Sequence, residues 1–278
     1  MAGPEANQGK GAEFRAPNHE FEAVKRWDFS FLQRRVGEIY EQHDEECGYT
    51  ADTMATKLLS NAFTLNRIIE RDPENIEDIE RSLTNVIIWT VTLANYGRLD
   101  LHDPLSEKFS KGCPRCHQMP CNLAIGEKCI KDESTPWGNI PENPPLTIDQ
   151  WQNHLLRLYP NNFQGTPQEN LQETSSRLMF EIVELITSTE PSVQEEDNRL
   201  SQHDVAGSIL EPWRGEFADV LAWGIAVGLA LNGKAGHFSL EESLRTEYEN
   251  GCPFCKSPQC QCRKDTTMLD QLHSAVTS

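Results

Sequence analysis

Positive charge is scarce in this chain. Over 278 residues, 25 Lys and Arg stand against 43 Asp and Glu, a net charge of −18. A general nucleic-acid binder shows a basic footprint, so direct nucleic-acid binding is not expected. A small phosphate substrate held through a divalent cation remains compatible with the charge. Long apolar runs are also missing, and no stretch approaches the roughly 20 apolar residues of a membrane span. The first residues, MAGPEANQGKGAEFRAPNHE, lack the apolar core of a signal peptide. These absences point to a soluble, cytoplasmic chain with no membrane partner. Strand-like alternation is absent too, which leaves an all-α chain.

What is present is helical periodicity. F-L-x-x-R-V-x-x-I-Y from Trp27 to about Glu45 predicts an amphipathic helix, with Gly48 as its stop. Thr50 or Asp52 can cap a second helix that Pro73 ends, residues 76–96 predict a strongly apolar third, and Asp100 or Asp103 opens a short fourth. Residues 131–146, with four prolines and a glycine, read as a linker. The plan then restarts. Thr147 or Asp149 caps a helix at Trp151–Tyr159, and Thr166-Pro167 starts a long one. The segment from Pro191 to about Glu211 reads as a loop or frayed helix, Trp213–Asn232 as the equivalent of the third helix, and Ser239 caps L-E-E-S-L-R-T-E-Y. The expected division is a disordered tail at 1–22, one unit at 23–130, the linker, a second unit at 147–262 and a tail at 263–278.

The two units echo each other. N-V-I-I-W leads through an apolar stretch to K-F-S-K-G-C-P-R-C, and D-V-L-A-W leads likewise to E-Y-E-N-G-C-P-F-C. This is an internal repeat of one supersecondary unit. Trp89 to Cys113 is 24 residues and Trp223 to Cys252 is 29, the excess fitting the loop-like N-G-K-A-G-H.

Nine cysteines include two tight sets. Cys252, Cys255, Cys260 and Cys262 have the density of a tetrahedral zinc site. In the first set, Cys113, Cys116 and Cys121, the counterpart of the fourth cysteine is Leu123, so Cys129 or His117 would have to complete it. Reduced free thiols and disulfides are the competing readings. A reducing cytosol favours metal over disulfide.

Paired acids mark the second unit. Glu181 with Glu184, and Glu216 with Asp219, each stand three residues apart and share a helix face. Other such pairs occur by chance in so acidic a chain, among them Glu38 with Glu41 and Glu74 with Glu77, and read as solvated faces. The second-unit pairs differ because they interleave with core residues, in M-F-E-I-V-E-L-I and E-F-A-D-V-L-A-W. Acids in such company need a partner. Four converging carboxylates raise one another's pKa values, and a divalent cation relieves that. Oxygen ligands favour Mg²⁺ or Mn²⁺ over zinc. Aligned on the tryptophans, the first unit has Ser82 and Asn85 in place of Glu216 and Asp219, and with an insertion allowed in the polar segment after Pro191 it has Asn61 and Thr64 in place of Glu181 and Glu184.

The E-x-x-E then E-x-x-D plan, with D-V-L-A-W, S-L-E-E-S-L and E-Y-E-N-G-C-P-F-C, resembles the cysteine-bearing branch of the MazG-like all-α nucleoside triphosphate pyrophosphohydrolases. The likeness covers roughly residues 147–262, and more weakly 27–121. It implies that Glu181, Glu184, Glu216 and Asp219 bind Mg²⁺. It also implies hydrolysis of a (deoxy)nucleoside triphosphate to the monophosphate and pyrophosphate. Arg245 or Asn250 would contact phosphates, and Trp223 the base. Active sites in that family form between paired subunits, so two tandem units could supply the pair as an intrachain pseudo-dimer. A further homodimer of the whole chain stays open. The rival readings are a non-catalytic nucleotide-binding regulator and a zinc-stapled interaction scaffold.

Overall fold

The computed structural model describes residues 26–121, 129, 146–188 and 202–262, with side chains in the last segment described from Trp213 onward. The expected tails, and the linker apart from Leu146, lie outside these residues. Eight α-helices and one 3₁₀ turn occur among the described residues, and no strand.

The first half holds α1 (Phe29–Cys47), α2 (Ala51–Arg71), α3 (Ile76–Tyr96) and α4 (His102–Phe109), followed by the first cysteine loop. The second holds α5 (Ile148–Leu158), a 3₁₀ turn (Pro160–Phe163), α6 (Pro167–Thr187), α7 (Gln202–Ala235) and α8 (Leu240–Tyr248), followed by the second loop. Local chemistry sets most boundaries. Thr50, Thr147, Thr166 and Ser239 each accept a backbone N–H with their side chain at a helix start. Gly48 closes α1 in the left-handed region at φ 67°.

Two boundaries differ from expectation. α7 begins at Gln202, so the stretch before Trp213 is helical despite Pro212, and the helix runs 34 residues. It also continues through Asn232, Gly233, Lys234 and Ala235, whose composition suggests a loop. Asn232 explains the late stop: its side-chain oxygen accepts the Phe238 N–H at 2.9 Å and bridges the short turn into α8.

α3 and α7 are the central pair. Every residue of α3 from Ser82 to Ala94 is buried, as befits a helix covered on all sides. Gly224 lets α7 approach it, because a Cβ there would stand 2.6 Å from Ile87 Cδ1. Trp213–Ala235 of α7 is long and apolar enough to cross a membrane by length and composition, contrary to the sequence expectation, but 61% of that window is buried by neighbouring helices. Burying each of its large aliphatic side chains contributes about 1.5–3 kcal/mol.

The short helices cross over. α4 packs on α7, and α8 packs on α3. The hydrogen bonds at these crossings come in matched pairs. His154 on α5 donates to the Phe109 carbonyl at 2.9 Å, and Arg35 on α1 donates to the Tyr248 carbonyl at 3.1 Å. The Cys121 N–H donates to the Leu158 carbonyl and the Cys260 N–H to the Ile39 carbonyl, both at 2.7 Å. Within each half, the Gln33 side-chain oxygen accepts the Leu101 N–H at 2.6 Å, and that of Gln152 accepts the Leu240 N–H at 3.1 Å.

Candidate metal centres

Both cysteine loops have one backbone design. The Cys113 N–H donates to the Gln118 carbonyl at 3.0 Å and the His117 N–H to the Cys113 carbonyl at 2.8 Å. In the second loop the Cys252 N–H donates to the Ser257 carbonyl and the Lys256 N–H to the Cys252 carbonyl, each at 2.9 Å. His117 and Lys256 hold matching left-handed conformations, φ 56° and 59°. The loop folds back so tightly that the preceding residue must be glycine. A Cβ on Gly251 would stand 2.2 Å from the Ser257 carbonyl oxygen, and one on Gly112 3.1 Å from that of His117.

These turns gather four sulfurs in each set, all within 4.8 Å of one another. Cys129 joins Cys113, Cys116 and Cys121 as the fourth thiol. Cys113 Sγ lies 3.6 Å from Cys129 Sγ, Cys116 Sγ 3.8 Å from Cys121 Sγ, and Cys252 Sγ 3.9 Å from Cys262 Sγ. At about 2.3 Å per Zn–S bond, sulfurs of a tetrahedral site stand about 3.8 Å apart. The observed spacings match that edge, so both sets can bind a metal ion such as zinc. All nine cysteines are free of disulfides. Burial pushes the Cys255 thiol up, but N–H groups of Gln261 and Ser257 outweigh it and bring the thiol to about 6. Burial also raises Cys113, and the N–H groups of Cys116 and Arg115 likewise reverse the shift. Thiolates are the metal-binding form.

The acids meet between α6 and α7. Oxygens of Glu181, Glu184 and Glu216 lie within 4.8 Å of one another, comparable to the roughly 4.2 Å across an Mg²⁺ octahedron. Glu181 and Glu216 are half-buried and Glu184 is exposed. Burial pushes Glu181 up to about 7, with Asp219, Glu184 and Glu216 adding to the rise. Glu216 is raised by burial and then by Asp219. Asp219 is raised by burial, while Lys108 opposes the shift through its charge and a hydrogen bond. The site thus concentrates carboxylates in mutual repulsion on a half-buried surface.

Lys108 is the residue that sequence reading missed. It lies on α4 in the first half, yet its ammonium pairs with Asp219 and donates to the Gly215 carbonyl at 3.2 Å. Arg214 braces the same crossing by pairing with Glu107 at 2.8 Å. Asp219 is therefore turned to a lysine, while the other three acids form the open cluster. Trp223 follows Asp219 by one helical turn and is half-buried, packed against the core. The expected phosphate ligands lie elsewhere: Arg245 pairs with Glu242 on its own helix, and α8 lies mainly against α3 and α5. Asn250 is exposed in the turn after α8. A signal for Lys108 existed, because aligning Cys113 with Cys252 sets Lys108 opposite Glu247, a reversal of charge at one position.

The first half replaces the acids with neutral residues in a covered setting. Asn61, Ser82 and Asn85 are all buried, and the Asn61 amide donates to the Lys57 carbonyl at 2.8 Å. Lys57 lies over the Tyr49 and Trp89 rings, 5.0 and 5.3 Å from their centroids. No family model, curated protein or solved structure matches the chain.

Proposed function

We propose that the chain is a Mg²⁺-dependent nucleoside triphosphate pyrophosphohydrolase of MazG-like type, built as two tandem repeats with one working site in the second. The observation that carries the reading is the meeting of Glu181, Glu184 and Glu216 beside Asp219 and Lys108. A surface that concentrates repelling carboxylates is explained by a cation that relieves them, and oxygen donors suit Mg²⁺ or Mn²⁺.

Glu181, Glu184 and Glu216 would hold the ion, and Asp219 could join them only through the carboxylate oxygen that Lys108 does not take. Bound there, Mg²⁺ would neutralise phosphate oxygens and make water a better nucleophile. Lys108 would add a second positive charge for the phosphate chain. Its pairing with Asp219 and Gly215 fixes it in place, so the charge is already oriented when substrate arrives. Trp223 would offer an aromatic wall for the base. One carboxylate would take the proton of the attacking water, and the products would be the monophosphate and pyrophosphate.

The crosswise packing supports an intrachain pseudo-dimer. A two-fold pair makes each contact twice, as do His154 with Phe109 and Arg35 with Tyr248. In this reading the first repeat lends the live site its lysine. A reducing cytosol belongs to the same proposal, since both cysteine sets must remain thiolates to bind zinc.

The test is a panel of NTPs and dNTPs with Mg²⁺, followed by detection of pyrophosphate and monophosphate. Release from at least one nucleotide, lost in Glu216→Gln, is expected. No release from any of them, with Glu216→Gln indistinguishable from the parent, would overturn the enzyme reading in favour of a regulator or scaffold.

A further inference from the structure

Each cysteine loop donates a main-chain hydrogen bond to the opposite half. The loop of Cys113, Cys116, Cys121 and Cys129 meets the end of α5: the Cys121 N–H donates to the Leu158 carbonyl at 2.7 Å. Tyr159, the next residue, is near enough to Cys113 for the thiol to raise the proton affinity of its hydroxyl. The loop of Cys252, Cys255, Cys260 and Cys262 meets α1 in the same way. Its Cys260 N–H donates to the Ile39 carbonyl at 2.7 Å, and the Tyr40 hydroxyl lies 3.9 Å from Cys252 Sγ. Just before each loop, His154 or Arg35 holds the carbonyl that ends α4 or α8. These contacts join residues 45 and 213 positions apart in the chain.

A small loop closed by a metal is stiff, whereas the same loop without it is a short irregular segment. Structural zinc contributes folding free energy directly. If its rigid loop is seated on the other half, that free energy also stabilises the join between halves. The hydrogen bonds from Cys121 and Cys260 are main-chain bonds of the loops themselves, so they exist only while each loop keeps its shape.

We propose that the two cysteine sets are zinc latches that close crosswise, each fastening the half that owns the thiols to the first helix of the other half. The 113–129 latch then has a special position. It begins five residues after Lys108 on the same stretch of chain, so it also holds the lysine against Asp219. That last step rests on the proposed role of the acid site, whereas the latches do not.

Metal content and amide exchange test the latches without any activity assay. The chain purified with zinc is expected to carry two ions. Cys252→Ser with Cys255→Ser is expected to lose one ion and to speed exchange about tenfold or more around Ile39 and Tyr40, with α5 unchanged. Cys113→Ser with Cys116→Ser is expected to lose the other ion and to do the same at Leu155–Tyr159, with α1 unchanged. No bound zinc, faster exchange confined to the cysteine loops, or an equal rise in α1 and α5 would each overturn the proposal.

Should those variants fail to fold, the metal ligands can be left intact. Co²⁺ serves as the probe through its visible thiolate bands. Arg35→Ala is expected to weaken Co²⁺ at the 252–262 set about tenfold and spare the other, and His154→Ala the reverse. Indifference of both sets to both changes would overturn the crosswise closure. If pyrophosphate release is found, loss of the 113–129 ion is expected to reduce it as Lys108→Met does, without a further fall in the combined variant. Additive losses would separate Lys108 from the latch and overturn that step, leaving the zinc and exchange results to judge the rest.

Discussion

Lys108 pairs with Asp219 across 111 residues of sequence, from the fourth helix of one half to the third long helix of the other. The ammonium is the cation that opposes the rise in proton affinity at Glu181, Glu216 and Asp219. With the acid site read as catalytic, Lys108→Met removes a fixed charge from beside the substrate phosphates. Losing one oriented donor of this kind typically lowers turnover about 100-fold or more. Lys108→Arg, which keeps charge but changes shape, is expected to recover part of it. Steady-state kinetics of both variants decide this. A Lys108→Met enzyme as active as the parent would remove the lysine from the mechanism.

The repelling acids make an opposite pair of expectations for stability and binding. Glu181 is held up to about 7 by burial and by Asp219, Glu184 and Glu216. Neutralising it as Glu181→Gln at pH 8, with chelator present, is expected to stabilise the fold by about 1 kcal/mol after discounting for solvent screening. Millimolar Mg²⁺ should raise the melting temperature of the parent, because a ligand that binds only the folded state stabilises it. Glu181→Gln should lose that response. Thermal melts with and without Mg²⁺ give both numbers, and a variant that is both less stable and still Mg²⁺-responsive would contradict the site.

Much of this fold was legible in the sequence, because its helix ends are written in local chemistry. α3 spans Ile76–Tyr96 as the apolar pattern predicts, and the caps at Thr50, Thr147, Thr166 and Ser239 follow from side chains that compete for free N–H groups. The start of α7 is hidden because Pro212 and the surrounding polar residues look like a break, whereas the helix continues through them. The acid pairs were legible from three-residue spacing. Their cation was not. The family resemblance points to Arg245 or Asn250, on or just after the helix that follows the acids, but the short helices cross over, so α8 goes to α3 and α4 comes to α7. Periodicity carries no information about which half a helix joins.

Glu247, which aligns with Lys108 when Cys252 is set on Cys113, lies near Arg81 and Glu80 of α3, and it should make stability depend on pH. Burial pushes its carboxyl up to about 7, with Arg81 opposing and Glu80 adding to the rise. A carboxyl with a raised folded pKa contributes stability fully present below its unfolded value of about 4.5, and that contribution is lost as pH rises through about 7. Glu247→Gln removes the titration. Denaturant melts should show the variant about 1 kcal/mol more stable than the parent at pH 8, the full shift being discounted for partial exposure, and the two converging near pH 4.5. A constant difference across that range would show that the carboxyl does not titrate in the fold as described.

Two glycines separate backbone constraint from simple flexibility. Gly251 sits at φ 123°, and a Cβ there would meet the Ser257 carbonyl oxygen at 2.2 Å. The Cys252 N–H bond to that carbonyl would have to break, and with it the turn that gathers the four thiols. Gly251→Ala is therefore expected to destabilise by about 2 kcal/mol or more and to lower zinc occupancy of the 252–262 set. Gly233 lies in the last turns of α7, where an added Cβ would meet nothing within 4 Å. There alanine restricts only the unfolded chain, so Gly233→Ala should stabilise by about 0.5–1 kcal/mol. Thermal melts paired with zinc analysis read both changes. Equal effects of the two substitutions would mean that the loop can open without the metal site noticing, and the tight turn at Gly251 would then have no part in gathering the thiols.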